Sequence, residues 1–275
     1  MNYSQLKINI YHMKKVFVLG FSMFLFAIQV SFAQEAANQG VAKLGSTNKM
    51  TPWMTEIWDP EVKIIHPGIR SSDPPSDAIV LFNGTNISDE WSDNNGNASR
   101  WVITDSSLVS TRGAGFIKTK RKFSNFQLHI EWKTPSEVTG ESQGRGNSGV
   151  FLQEIYEVQI LDSYNNKTYR NGQAGSVYKQ SAPLVNVCRG PGEWQSYDII
   201  YTAPTFGNDT TTYLTPPRVT VMQNGVLIQN NYSIRGPMEY IGIPEYFIRK
   251  HGPGSLMLQD HGNPVAFRNI WIREL

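Results

Sequence analysis

The chain of 275 residues holds one cysteine, Cys188. A single thiol closes no intramolecular disulfide, so stability has to come from core burial. No histidine lies close to Cys188 in sequence, which fits a small buried hydrophobe better than a nucleophile. A surplus of positive charge is lacking as well. The formal net charge is +2, but Lys7, Lys14 and Lys15 fall within residues 1–33, which carry no acid, leaving 22 basic against 23 acidic residues beyond. That balance gives no electrostatic footprint for a phosphate backbone, so nucleic acid is not expected as a partner.

Other absences narrow the chemistry. No window of ten or more residues repeats its apolar positions every 3.6 residues, so long amphipathic helices are not expected. There is no Walker loop, no G-x-G-x-x-G and no G-x-S-x-G, which leaves nucleotide chemistry and serine hydrolysis without support. Neither H-x-H nor H-x-x-x-H spacing occurs. A divalent cation stays a candidate cofactor only where two acids and a histidine could meet in space.

What is present begins with a leader. Lys14 and Lys15 precede the apolar run VFVLGFSMFLFAIQV, and Ser31-Phe32-Ala33 places small residues before Gln34. This is the pattern of a cleaved secretory signal over residues 1–33, with Met13 a candidate true start. The run is shorter than the roughly 20 residues of a spanning helix, so no membrane span is expected after cleavage. A periplasmic or secreted location follows as the expectation. Residues 34–75, with QEAANQGVAKLGSTNK and HPGIRSSDPPSD, read as an arm or linker. No internal repeat is evident.

From residue 76 to 275 the pattern is β almost throughout. FQLHIEWK alternates Phe126, Leu128, Ile130 and Trp132 against Gln127, His129, Glu131 and Lys133. SGVFLQ, YEVQILD, SYDIIYTAP and AFRNIWIREL read as further strands. In RVTVMQNGVLIQ, Asn224-Gly225 separates two β-branched runs and predicts a two-residue type I′ hairpin turn. The expected fold is all-β, a two-sheet antiparallel sandwich or jelly roll in one domain.

YEVQILDS poses the functional question. Tyr156, Val158 and Ile160 point one way, leaving Glu157 and Gln159 on the other face with Asp162 close behind. A carboxylate, an amide and a second carboxylate within six residues suit a groove. Aromatic residues make up 12% of the chain, more than one core readily absorbs. Flat rings such as Tyr178 and Trp194 are suited to packing on sugar C–H faces. The offsets of Glu157, Gln159 and Asp162 resemble the E-x-D-x-x-E strand of jelly-roll β-glucanases, provided a β-bulge after Gln159 swings Asp162 back. Glu131 with His129 is expected to share that concave face. The shorter Asp162, and Gln159 in place of an acid, weaken an ordinary two-carboxylate glycosidase reading. His261, in LMLQDHGNPV beside Asp260, is a further candidate base or ligand.

The run from Asp77 to Leu275 resembles the bacterial 3-keto-disaccharide hydrolase domain family. SDAIVLFNGTNISDEW, HIEWK, GNSGVFLQ, YEVQILDS, NGQAGSVY, PGEWQSYDIIYTAP, VTVMQNGVLIQ and LQDHGNPVAFRNIWIREL carry the resemblance in order. It implies a concanavalin A-like lectin/glucanase jelly roll and cleavage of glycosides bearing a ketone at C3. A 3-ketone acidifies the C2 proton, so a base removes it and the C1 substituent leaves by elimination before water adds. On this resemblance Glu157 and Asp162 are the expected acid/base carboxyls, with Glu131 and His261 as base or enolate partners. Gln159, Asn147, Gln173, Tyr178 and Trp194 are the expected substrate contacts, and the partner is an oligosaccharide or glycoside. A non-catalytic sugar-binding module and an ordinary glycosidase are the competing readings of the same fold.

Overall fold

The structure is a computed structural model that describes residues 51–209, 213–241 and 247–275. The leader expected over residues 1–33 and the arm up to residue 50 lie outside the described residues. Two units divide the chain at Lys63/Ile64. The described part of the first holds a single 3-10 turn, Pro52–Thr55.

The second unit, Ile64–Leu275, carries the strands. They are β1 (Ile79–Phe82), β2 (Trp91–Asp93), β3 (Val102–Thr104), β4 (Ser107–Val109), β5 (Ile117–Thr119), β6 (Phe126–Lys133), β7 (Ser148–Leu152) and β8 (Tyr156–Ile160). After them come β9 (Gln195–Thr202), β10 (Thr205–Phe206), β11 (Tyr213–Thr215), β12 (Arg218–Gln223), β13 (Val226–Ser233), β14 (Met257–Leu258) and β15 (Ala266–Glu274). The larger sheet runs β13-β12-β9-β6-β15-β4-β3, with β1 also paired to β15, and the smaller runs β2-β5-β14-β7-β8. β10 and β11 form a separate ribbon. The strand pairs are antiparallel, so the expected all-β jelly-roll sandwich is the fold observed.

Period-2 patterning explains how the two sheets close. Phe126, Leu128, Ile130 and Trp132 of β6, with Tyr197, Ile199 and Tyr201 of β9, are all but fully buried. Val150 and Leu152 of β7, and Tyr156, Val158 and Ile160 of β8, join the same core from the smaller sheet. Each such aliphatic or aromatic side chain contributes about 1.5–3 kcal/mol on burial. The tyrosines keep their hydroxyls satisfied inside: Tyr197 Oη donates to Gln159 O at 2.7 Å and Tyr201 Oη to Gln153 Oε1 at 2.7 Å. The apolar layer thus separates two polar outer faces, one on each sheet.

The outer face of the larger sheet is itself partly covered. Ser72, within the stretch expected as linker, offers its carbonyl to Asn269 Nδ2 and Trp271 Nε1, both at 2.9 Å. Trp271 in turn stacks on His129 with ring centroids 5.4 Å apart. This cover explains why His129 is only 3% exposed although it alternates with core residues.

The β12–β13 turn is the one predicted. Asn224 and Gly225 both take left-handed backbone, at φ 52° and 81°, and Gln223 pairs with Val226 across the turn. Asn224 also anchors the hairpin through its side chain, accepting from Ser196 N at 3.0 Å and donating to Gln195 Oε1 at 2.7 Å. A Cβ at Gly225 meets nothing within 4 Å, so only backbone strain opposes it. Gly225→Ala is expected to lower stability by about 1–2 kcal/mol. In urea unfolding the midpoint should fall while the denaturant dependence stays constant.

Candidate active site on the smaller sheet

Glu157 and Gln159 project from β8 away from the core, and β7 lies beside them with Phe151 opposite Glu157 and Gly149 opposite Gln159. Gly149 is needed here, because a Cβ on it would collide with the Glu157 carboxyl. The missing side chain lets the carboxyl lie against the sheet. β14 pairs with the other edge of β7, and Gln259 extends that ladder by donating its N–H to Gly149 O at 3.1 Å. The loop after β14 brings His261 to the same place. Asp260 shapes that loop, accepting from Gly262 N at 2.9 Å and Gly115 N at 3.1 Å.

These elements enclose a cavity of about 270 Å³ lined by Asn147, Phe151, Glu157, Gln159, Tyr178, Met238, Tyr240, Gln259 and His261. Five polar or ionisable side chains, Asn147, Glu157, Gln159, Gln259 and His261, therefore meet the rings of Phe151, Tyr178 and Tyr240 and the Met238 side chain, the general make-up of a small-molecule site. Glu157 is 5% exposed, and burial pushes its carboxyl up to about 8. Asn147 Oδ1 and Gln259 Oε1 are buried without a hydrogen-bond partner in the protein. Both residues line the cavity, and a hydroxyl-bearing ligand is the kind that could supply donors to two such acceptors. Tyr178 Oη lies 2.6 Å from Tyr169 Oη, and burial first, then that hydrogen bond, holds the Tyr178 phenol well above its usual range. Lys179 caps the pair, its Nζ 4.3 Å from the Tyr169 ring centroid.

The sequence thus brings five of its candidates together: Glu157, Gln159, Asn147, Tyr178 and His261. It misses Gln259, Phe151, Met238 and Tyr240. Gln259 carried a signal, since it stands two residues before His261 on the segment singled out for that histidine. Met238 and Tyr240 follow β13 in a stretch without periodicity and gave none.

The remaining candidates lie elsewhere, and the reasons are physical. No bulge interrupts β8: Ser148 pairs with Ile160, and Asp162 N still reaches Gly146 O at 3.2 Å in the same register. The expected swing of Asp162 does not occur. Its carboxylate accepts from Arg145 Nε at 2.6 Å and from Tyr164 N at 3.2 Å, and it does not line the cavity. Gln173 closes a tight turn, its carbonyl accepting from Ser176 N at 3.0 Å. Glu131 does not share a face with Glu157, because β6 belongs to the larger sheet and β8 to the smaller.

Glu131 and Trp194 instead line a second cavity of about 670 Å³ on the larger sheet. There Arg268 Nε donates to Glu131 at 2.6 Å, Asn269 donates to it at 3.0 Å, and Arg268 stacks 4.0 Å from the centre of the Trp194 ring. Burial works against ionisation of Glu131, but hydrogen bonds from His129, Asn269 and Arg268 win and hold it down at about 2. Burial likewise opposes the charge on His129, yet Asp198 at 2.7 Å and Glu131 at 3.7 Å raise it to about 9. This is a cluster in which each charge has an opposite charge beside it, although His129 Nε2, 3.7 Å from Glu131, is buried without a hydrogen-bond partner. Among the described residues no group of three or more His, Cys, Asp or Glu side chains gathers as a metal site. Cys188 is half-buried against Gln223 Nε2 at 3.2 Å, and burial raises its thiol.

The β-sandwich, taken with its likeness to known proteins, defines a carbohydrate-active protein of glycosyl-hydrolase type. More particularly, residues 77–273 match the family described as the 3-keto-alpha-glucoside-1,2-lyase-like domain, and the chain belongs to it. A 3-keto-disaccharide hydrolase of Bacteroides thetaiotaomicron is 26% identical over 215 residues, 64% of this chain and 71% of the relative. A crystal structure from Parabacteroides distasonis ATCC 8503, of a candidate glycosyl hydrolase, is 52% identical with a TM-score of 0.77, covering 82% of this chain and 97% of that one. A second P. distasonis structure at 23% identity and a TM-score of 0.52, covering 72% and 94%, shares the fold.

The raised carboxyl makes a testable stability statement. Glu157 binds its proton more tightly folded than unfolded, so folding is favoured below about pH 4.5 and that advantage is lost as pH rises through about 8. Glu157→Gln removes the cost of burying a charge. Thermal denaturation should find the variant on the order of 3 kcal/mol more stable than the wild type at pH 9 and close to it at pH 5.

Proposed function

We propose that the cavity on the smaller sheet binds glycosides oxidised at C3 and cleaves them by elimination, with water added afterwards. The pair of orphaned acceptors, Asn147 Oδ1 and Gln259 Oε1, beside a neutral buried acid carries this reading. A pyranose supplies hydroxyl donors for the two amides and C–H faces for Tyr178 and Tyr240. The family name and the B. thetaiotaomicron relative supply the C3 ketone.

The chemistry then distributes as follows. His261 takes the C2 proton, and the electron pair moves towards C3 to give an enolate. The Tyr178–Tyr169 hydroxyl pair supplies a phenolic proton towards the enolate oxygen. As the enolate collapses, a C1–C2 double bond forms and the C1–O bond breaks. Glu157, still carrying its proton near neutral pH, delivers it to the departing oxygen. Water adding across the new double bond completes hydrolysis. No carboxylate attacks C1, so the mechanism needs neither Asp162 nor Glu131 within reach of the anomeric carbon. A leader over residues 1–33 would place this activity outside the cytoplasm; among the described residues no helix is long and apolar enough to cross a membrane.

The test is turnover of a 3-keto-glucoside beside its unoxidised parent. The wild type should cleave only the keto-sugar, and Glu157→Gln and His261→Gln should each lower kcat/KM by about 10²–10⁴. Equal cleavage of the parent sugar would turn the assignment to an ordinary glycosidase. Binding of both sugars with no cleavage would turn it to a lectin-like module.

A further inference from the structure

Tyr178 is 8% exposed and lines the cavity, and its hydroxyl has one partner in the protein, the hydroxyl of Tyr169 at 2.6 Å. Tyr169 is half-buried and does not line the cavity, so it stands behind Tyr178 as seen from a substrate. The pair is held by its surroundings. Gly172 ends the 3-10 turn Arg170–Gly172, and a Cβ on it would run into the Tyr169 ring. The same turn is tied to the residue after Tyr178, since Lys179 N donates to Asn171 O at 2.8 Å and Asn171 Nδ2 to Lys179 O at 3.0 Å. Lys179 takes left-handed backbone at φ 61°. Its ammonium lies 4.3 Å from the Tyr169 ring centroid, with those of Tyr178 and Tyr240 at 5.8 and 5.9 Å. Among the described residues no carboxylate pairs with that ammonium.

Proton counting decides what the pair does when negative charge develops in the cavity. A hydroxyl has one proton to give. Once Tyr178 points its proton at an oxygen in the cavity, it has none left for Tyr169, and their 2.6 Å contact is favourable only with Tyr169 as donor. That holds whichever of the two donates at rest. An oxyanion in the cavity therefore draws the Tyr178 proton towards itself and the Tyr169 proton towards Tyr178. The cavity lining holds no lysine or arginine. The route outward leads to one: charge is drawn to Tyr169, the more exposed phenol, over whose ring the Lys179 ammonium lies.

We propose that Tyr169 and Lys179 are positioning residues for the enolate: they act through Tyr178, which alone of the three lines the cavity, and draw part of the negative charge out of it. The proposal rests on the elimination reading above, in which an enolate forms at C3. As the C2 proton leaves for His261, the C2–H electron pair becomes the C2–C3 double bond and charge gathers on the C3 oxygen. Tyr178 moves its proton towards that oxygen and Tyr169 its own towards Tyr178, so charge collects beneath Lys179. When the C1–O bond breaks, the C3 carbonyl re-forms and both protons return. The other ionisable groups around the pair are Glu157, His261 and Tyr240.

The experiment reads enolate formation apart from cleavage. The 3-keto derivative of 1,5-anhydroglucitol has no glycosidic oxygen to lose, so exchange of its C2 proton in D₂O, followed by proton NMR, reports proton removal by itself. The wild type should catalyse that exchange. Tyr169→Phe keeps the ring and removes the hydroxyl. It should lower kcat for exchange by about 10–100-fold, less than the roughly 10²–10³ of a donor that touches the oxyanion, with KM within about twofold. Lys179→Met should lower kcat in the same way by less, and Lys179→Arg should restore it. Lys179→Met on a Tyr169→Phe background should add no further loss, since the ammonium acts through that hydroxyl. Wild-type kcat in Tyr169→Phe or Lys179→Met, a loss confined to KM, or additive losses in the double variant would each overturn the proposal and leave the elimination reading standing. A wild type that neither exchanges the C2 proton nor cleaves a 3-keto-glucoside would overturn both. If Tyr169→Phe does not fold, the contrast between Lys179→Met and Lys179→Arg decides.

Discussion

A carboxyl buried against a β-sheet without its charge is the constraint on which the candidate site depends. Burial is the cause that raises Glu157, and the protein tolerates it because Gly149 vacates the space the carboxyl needs. An ionised carboxylate in that position would demand a cation or several donors. The cavity lining offers amides, phenols and His261, and no lysine or arginine, so the neutral acid is favoured. Elimination from a 3-keto-sugar asks for a proton delivered to a leaving oxygen at a pH where a free glutamate has lost its own.

The two outer faces of the sandwich solve opposite electrostatic problems. On the larger sheet, Glu131, His129, Asp198 and Arg268 form a cluster in which each charge is met by another. On the smaller sheet, the groups are few, the acid is neutral, and two acceptors lack partners. Paired charges stabilise and specify packing, whereas a buried acid without a counter-charge stays neutral and keeps its proton available. Charge pairing makes the larger cavity, of about 670 Å³, the weaker candidate for acid–base chemistry, and the raised Glu157 makes the smaller one the stronger.

The fold was legible because its signals are local. Alternation in FQLHIEWK, the Asn224-Gly225 turn and short β-branched runs each state a strand or hairpin without help from distant residues. The site was legible where strand parity decides the outcome, as for Glu157 and Gln159, since β8 stays regular. It failed where a bulge had to be assumed: Asp162 continues the register, and Arg145, 17 residues away, claims its carboxylate. Glu131 was misplaced for a different reason. Parity says which residues share a face of one strand, but not which sheet that strand joins. Tyr240 and Met238 come from irregular chain, and only the tertiary fold brings them to the cavity.

The ladder from Gln259 through Gly149 to Gln159 has a mechanical consequence. Ser148 Oγ donates to Gln259 O at 2.7 Å, Asn147 N donates to Asn263 Oδ1 at 2.9 Å, and Gln259 N donates to Gly149 O at 3.1 Å. The floor and one wall of the cavity are therefore a single hydrogen-bonded plate that cannot part like a jaw without breaking the sheet. The rim is where the cavity meets solvent, with Tyr240 72% exposed and Lys179 Nζ 5.9 Å from its ring centroid. Entrance and floor are therefore built from separate parts of the chain, so a change at Tyr240 leaves the hydrogen-bonded plate beneath Glu157 as it is.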